Sequence, residues 1–133
     1  IYSTDSAFAA VKSAGAVVTW GFAGEGGDCS SVQKHLTSDV QQVYSTRVAF
    51  AAVKSAGSVF TWGDAGKGGD CSAVKEQLSC DVQHIYSTRG AFAAVKSSGG
   101  VVTWGDPDFG GNSGDPDFWG NSSAVQEQLA SDV

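Results

Sequence analysis

A period of 42 residues runs through the chain and constrains its fold more than any other feature. The phrase AFAAVKS occurs three times, each time followed by TWG; the copies begin at Ala7, Ala49 and Ala91. The period divides the chain into three repeats: residues 1–42, 43–84 and 85–133. A unit this small buries too little apolar surface to offset its chain entropy. We therefore expect the repeats to stack on one another and form one repeat domain.

Each repeat contains a pattern of short strands. Around the second repeat, residues 42–46 predict one strand. In residues 49–54 and 58–62, successive side chains are expected to point to opposite faces, as in a β-strand. The last two segments predict a β-hairpin with its turn at residues 55–57, because the same pattern recurs three times. The Ala-Gly turn is not the residue pair that tight hairpins favour, so packing is expected to set the register.

A short helix is predicted near the end of each repeat. A valine and a leucine stand four residues apart there, which indicates one apolar stripe on two helical turns. The three predicted helices cover residues 30–36, 72–78 and 123–129. Two of them begin with the Ser-x-x-Gln pattern of a capping box, formed by Ser30 with Gln33 and by Ser123 with Gln126. The fold class is therefore mainly β with one short helix per repeat.

These motifs resemble RCC1-like repeats. The resemblance is carried by the hairpin that ends in V-x-W-G, the glycine-rich loop after it and the phrase A-x-A-A-V-K-S-x-G, found at residues 7–12, 15, 17–21 and 26–27 and their equivalents. The short period is most similar to the three-stranded blades of propellers of the β-lactamase-inhibitor protein II type. The resemblance implies β-propeller blades that bind proteins through loops on one face.

The number of repeats limits that resemblance. A propeller needs at least about four blades to close, and those of this kind have more. Three repeats therefore predict a partial propeller or an open arc, with a linear β-solenoid-like stack as the alternative.

The third repeat carries a tandem duplication of nine residues. GDPDFGGNS at residues 105–113 is followed by GDPDFWGNS, the insert, at residues 114–122. Aromatic side chains on a long loop are typical of interface anchors. We therefore predict a partner-binding site formed by Phe109, Asp115, Asp117, Phe118 and Trp119.

Charge and hydropathy exclude several classes of partner. Eight basic residues against fourteen acidic ones give a net charge of -6, which argues against nucleic acid or an anionic membrane as a partner. Apolar runs are too short to span a bilayer, so no membrane insertion is expected. The chain has no Met, which indicates a trimmed or partial segment without its targeting information; no compartment is predicted.

No catalytic, cofactor or metal site is predicted. A catalytic group needs unlike residues brought together, whereas here each residue type recurs as a copy of itself. Dinucleotide and P-loop motifs are missing, so we expect a non-enzyme without cofactor. The Asp-x-Asp pairs at residues 106–108 and 115–117 lack a distal Glu and predict structural turns, while His35 and His84 look isolated. The three cysteines predict no disulfide framework; they are Cys29, Cys71 and Cys80.

The equivalent aromatic residues have two interpretations. They could form a row that binds a sugar or peptide, but packing between repeats is favoured because every copy retains them. They are the tryptophans 20, 62 and 104, the tyrosines 2, 44 and 86 and the phenylalanines 8, 50 and 92.

The sequence thus favours a non-catalytic protein-binding or scaffold module within a larger propeller or assembly. One alternative is a structural protein that self-associates into a ring or filament. Another is an inhibitor or a carbohydrate-binding propeller.

Deleting residues 114–122 tests the predicted partner site. We expect the fold to persist, because the deletion restores the common repeat length, and association with the partner to weaken. Circular dichroism would check the fold and a binding assay the association. Unchanged association would contradict the assignment.

Overall fold

The computed structural model describes residues 1–111, which form three antiparallel three-stranded sheets, one for each repeat. The first sheet contains β1 (Tyr2–Ser3), β2 (Ala7–Val11) and β3 (Val17–Gly21). The second contains β4 (Val40–Ser45), β5 (Ala49–Lys54) and β6 (Val59–Gly63). The third contains β7 (Val82–Ser87), β8 (Ala91–Lys96) and β9 (Val101–Gly105). The mainly β class is confirmed, and within the described residues the sheets do not close into a barrel.

The predicted hairpin is confirmed in all three repeats with one register. Phe50 on β5 lies opposite Trp62 on β6, and the equivalent pairs occupy the same positions in the other sheets. The turn glycine Gly57 has φ +83°, and a Cβ there would lie 2.5 Å from the backbone nitrogen of Asp81. The turn is therefore packed against the segment that leads into β7 of the third sheet, which explains how an Ala-Gly turn holds the register.

The prediction of one helix per repeat is wrong. The structure has short 3₁₀ turns instead, at Gln33–His35 and Ser72–Val74. Two helical turns are too short to repay helix nucleation, and burial of the leucines is satisfied without a full helix. Leu36 and Leu78 are each 1% exposed. The third predicted helix, residues 123–129, lies outside the described residues.

The predicted capping box of Ser30 and Gln33 does not form. An aspartate two residues earlier takes the role, since the backbone N–H of Ser30 donates to Asp28 Oδ1 at 2.9 Å. The same bond joins Ser72 to Asp70 in the second repeat. The Ser123–Gln126 box is outside the described part of the chain. Within residues 1–111, no helix has the length and apolar character needed to cross a membrane.

Two apolar cores lie between neighbouring sheets and join them. In each core, one face of a hairpin packs against the opposite face of the following hairpin. Ala49 and Ala51 of the second sheet face Phe92 and Trp104 of the third, and all four are buried. Since both faces of the middle hairpin are covered, its strand β5 is apolar almost throughout.

A tryptophan and a glycine form a joint between each pair of sheets. Trp62 Nε1 donates to the carbonyl oxygen of Gly26 at 3.1 Å, and Trp104 Nε1 donates to that of Gly68 at the same distance. The preceding loop must come close, because a Cβ on Gly68 would lie 2.6 Å from the ring of Phe92. We call this arrangement of Phe and Trp on a preceding glycine loop the aromatic joint.

Backbone hydrogen bonds reinforce the joint at the turn side. The Asp39 carbonyl accepts from the Ser55 N–H at 2.9 Å, while the Asp39 N–H donates to Ala14 at 3.4 Å. Asp39 and its equivalent Asp81 adopt φ near +66°, a conformation that Asp tolerates better than most residues. Each aspartate thus connects the turn of one repeat to the hairpin of the next.

The prediction that the aromatic rows pack between repeats is confirmed for the phenylalanines and tryptophans of the second and third sheets and wrong for those of the first. The tyrosine row does not follow the prediction, since Tyr86 is 61% exposed. Phe50 is 0% and Trp62 1% exposed, whereas Phe8 is 46% and Trp20 45% exposed. The residues and the hairpin are the same in both cases. The difference arises because no described sheet precedes the first one.

A matched pair of substitutions tests this account. We expect F50A to lower the free energy of unfolding by about 3–5 kcal/mol, because it empties a filled core position. F8A removes the same side chain from a half-exposed position and should lower it by less than about 1 kcal/mol. Urea unfolding at low protein concentration measures both, and equal losses would contradict the account.

Candidate functional site

A small apolar pocket lies at the outer face of the third sheet. Its volume is about 140 Å³, and most of its exposed lining is apolar. The lining includes Thr88, Ala91, Ala93, Phe109 and Gly110. We call it the open pocket, since its equivalents in the first and second repeats are filled.

The open pocket is the third repeat's copy of the space that holds a phenylalanine in the other two. In the second repeat, the Cβ position of Gly68 lies 2.6 Å from the Phe92 ring and 3.6 Å from Thr46. Thr88 and Gly110 are the residues at those positions in the third repeat. A cavity of about 150 Å³ accepts a benzene molecule. The open pocket therefore has the size and the lining to accept one aromatic side chain.

A short turn holds the rim of the pocket in place. The 3₁₀ turn Pro107–Phe109 begins at Asp106, whose Oδ1 accepts from the Asp108 N–H at 2.9 Å, and it ends at Gly110 with φ +96°. Thr88 Oγ1 donates to the Phe109 carbonyl at 2.8 Å. The predicted structural turn at residues 106–108 is confirmed in this respect.

A charged pair from two repeats lies beside the rim. Lys67 Nζ donates to Asp106 Oδ2 at 2.9 Å, and the same ammonium group lies 5.5 Å from the centre of the Phe109 ring. The hydrogen bond from Lys67 lowers the pKa of Asp106 and raises that of Lys67. Since both groups are partly exposed, solvent screening leaves the pair a modest stabilising effect.

The structure places one predicted partner-binding residue at this site. Phe109 forms part of the rim and is 38% exposed. The other four predicted residues lie outside the described part of the chain: Asp115, Asp117, Phe118 and Trp119. The prediction for them stays a prediction.

A second exposed apolar surface lies at the opposite end, and sequence reasoning missed it. It consists of side chains on the outer face of the first sheet, which we call the leading face: Phe8, Val18, Trp20 and Phe22. Their exposed fractions range from 45% to 62%. Large exposed apolar side chains grouped on one face are typical of interaction sites. The sequence does contain a signal for this surface. Aromatic residues that pack against the preceding sheet in the second and third sheets have no described sheet to pack against in the first.

Each histidine contacts aromatic rings, and His84 is exposed while His35 is half-buried. His35 stacks on Phe60 with ring centres 4.2 Å apart, and His84 lies between Tyr44 and Tyr86. The pKa of His35 is lowered by desolvation and then by nearby lysines. His35 contacts Phe60 of β6, and His84 contacts Tyr44 of β4 and Tyr86 of its own strand β7.

The described residues contain free thiols and apolar surfaces. Within residues 1–111, no group of three or more His, Cys, Asp or Glu side chains is placed to hold a metal ion. The cysteines are free thiols. The two end surfaces instead offer apolar area with a few backbone hydrogen-bonding groups.

Comparisons with known proteins do not assign a family. A scan against protein-family models found no matching model, and a search of curated proteins found no match.

Three aspartates should make the fold sensitive to acid. Hydrogen bonds from backbone N–H groups lower the pKa of Asp28 and Asp70, and the Lys67 hydrogen bond lowers that of Asp106. Each folded-state pKa therefore lies below the unfolded value of about 3.9, so these contacts stabilise the fold above that pH. Their contribution is lost as the pH falls through the folded-state pKa values.

The stability of the variant D28N/D70N/D106N should depend less on pH than that of the parent protein, because an amide oxygen still accepts a hydrogen bond but does not titrate. Thermal unfolding from about pH 6 to about pH 2.5 measures this. Equal acid sensitivity of the variant and the parent protein would contradict the assignment.

Proposed function

We propose that the chain is a non-catalytic protein-binding scaffold module whose binding site is the open pocket with its Phe109 rim. The observation that carries the proposal is that no side chain of residues 1–111 fills this pocket, whereas a phenylalanine ring fills each of its two equivalents. A site built to receive an aromatic side chain suits a protein ligand.

The form of the repeats supports the same proposal. Stacked units with identical joints create a rigid frame, and side chains at its ends are held by neighbours on several sides. Thr88, Gly110 and Phe109 are positioned by backbone hydrogen bonds and by Lys67 of the preceding repeat. A rigid apolar pocket needs little ordering when a partner binds, which favours affinity.

The larger architecture is part of the proposal. We infer that the three sheets are blades of an open, propeller-like arc, as the resemblance to RCC1-like repeats implies. Support comes from the turns between the first and second strands of successive sheets, where the Asp5 N–H donates to the Arg47 carbonyl and the Arg47 N–H to the Arg89 carbonyl.

A photo-crosslinking amino acid at position 109 tests the binding function. We expect p-benzoylphenylalanine there to form a discrete adduct with a protein partner, because the side chain borders the pocket. The adduct should disappear in A93R, which fills the pocket with a charged side chain. Mass spectrometry identifies the linked polypeptide.

The matched control carries the same crosslinker at Gln77, which is exposed on the middle repeat. An adduct pattern at position 109 no different from that at position 77 would overturn the proposed function.

A further inference from the structure

We propose that the open pocket and the leading face bind each other in two copies of this chain, so that the first sheet of one copy packs on the third sheet of another. The inference deepens the proposed function and rests on it, since it names the partner of the same pocket. The occupant is a second copy, because the described residues 1–111 carry both halves of the aromatic joint, one on the first sheet and one on the third.

The donor half of the joint is complete on the leading face. Phe8 and Trp20 lie across β2 and β3 with ring centres 5.4 Å apart, against 5.3 Å for Phe50 and Trp62 in the buried joint. The rings therefore already have the arrangement in which the other two pairs dock. Nothing in the first sheet has to change for it to act as the following sheet of another copy.

The acceptor half is complete at the open pocket. Gly110 ends its turn with φ +96°, close to the +109° of Gly68, and it follows the same kind of 3₁₀ turn. When Phe8 of the second copy fills the pocket, its Trp20 Nε1 faces the Gly110 carbonyl. This repeats the 36-residue spacing at which Trp62 meets Gly26 and Trp104 meets Gly68.

The rim residues differ from the internal joints in a way that fits two copies. Between the second and third repeats, Lys67 pairs with Asp106. The equivalent positions across the proposed contact are Phe109 and, in the second copy, Phe22. Both are exposed aromatic side chains, at 38% and 62%. An ion pair inside the chain is thus replaced by an aromatic pair between copies, and both members gain from removal from water.

Charge at the strand edge also matches. Within the chain, Arg47 Nε donates to Asp5 Oδ2 at 2.9 Å across the first joint. Across the proposed contact, Arg89 comes opposite Asp5 of the second copy. The opposite charges favour this register over alternatives.

The contact joins two different surfaces and therefore leaves one free half-joint on each end of a dimer. Such head-to-tail contacts produce a ring when the rotation closes and a filament when it does not. Either product shows the contact.

Sedimentation velocity with face-blocked variants tests the inference. The parent chain should gain weight-average mass over about a hundredfold rise in concentration, by mass action. F8S/W20S removes the donor half, and A93R blocks the acceptor half. Each variant alone should stay monomeric, while a mixture of the two should form dimers and no larger species, because only one intact pair of faces remains.

Three further variants guard the result. Q77R adds the same charge as A93R on an exposed site of the middle repeat and should assemble like the parent. F109D replaces A93R if circular dichroism shows that A93R does not fold. W20F keeps an aromatic ring but removes the Nε1 donor and should weaken association about fivefold, as expected for one hydrogen bond.

Three results would overturn the inference: a parent chain that stays monomeric throughout, blocked variants that assemble like the parent, or a mixture that stays monomeric although the parent assembles. A monomeric parent with a foreign adduct at position 109 would leave the proposed function intact. An absence of any adduct at position 109 together with assembly insensitive to F8S/W20S would overturn both.

Discussion

The aromatic joint is the interaction on which the rest of the structure depends. A phenylalanine and a tryptophan from one hairpin rest on the glycine loop of the repeat before it, and the indole N–H bonds to a backbone carbonyl. The joint combines apolar burial, which carries most of the free energy, with one directional bond, which fixes the register. Without it each sheet would have one bare apolar face and too small a core to persist.

The joint also explains why residues with identical sequence surroundings differ in burial. Phe8 and Phe50 have the same neighbours in the chain, yet one is half exposed and the other fully buried. Burial in a stacked protein is a property of position in the array. A repeat sequence specifies what a unit can contact, and the presence of a neighbour decides whether that contact is made.

The hairpins could be predicted from sequence because their signal is local: residues 49–54 and 58–62 have the strand-like alternation of faces and contain β-branched residues. The same pattern in three copies strengthened the prediction. The helices were wrong because a Val–Leu spacing of four residues fits any turn that brings both side chains to one side; Leu78 is buried by a 3₁₀ turn as well as by a helix. The role of Asp39 depends on contacts between repeats, which no local pattern displays. Of the site, Phe109 could be found from its aromatic character on a loop. The open pocket could not, since it is recognised only by comparison with the two copies in which a phenylalanine fills the same space.

The choice of a main-chain carbonyl as acceptor in the joint has an evolutionary consequence. The residue just ahead of the glycine contributes no side-chain atom to the indole hydrogen bond, and it is Glu25, Lys67 and Phe109 in the three copies. This position therefore holds an acidic, a basic and an aromatic residue in the three copies, while the hairpin and the loop keep the same structure. Gene duplication can thus multiply the frame while each new copy acquires its own surface chemistry beside an unaltered seam.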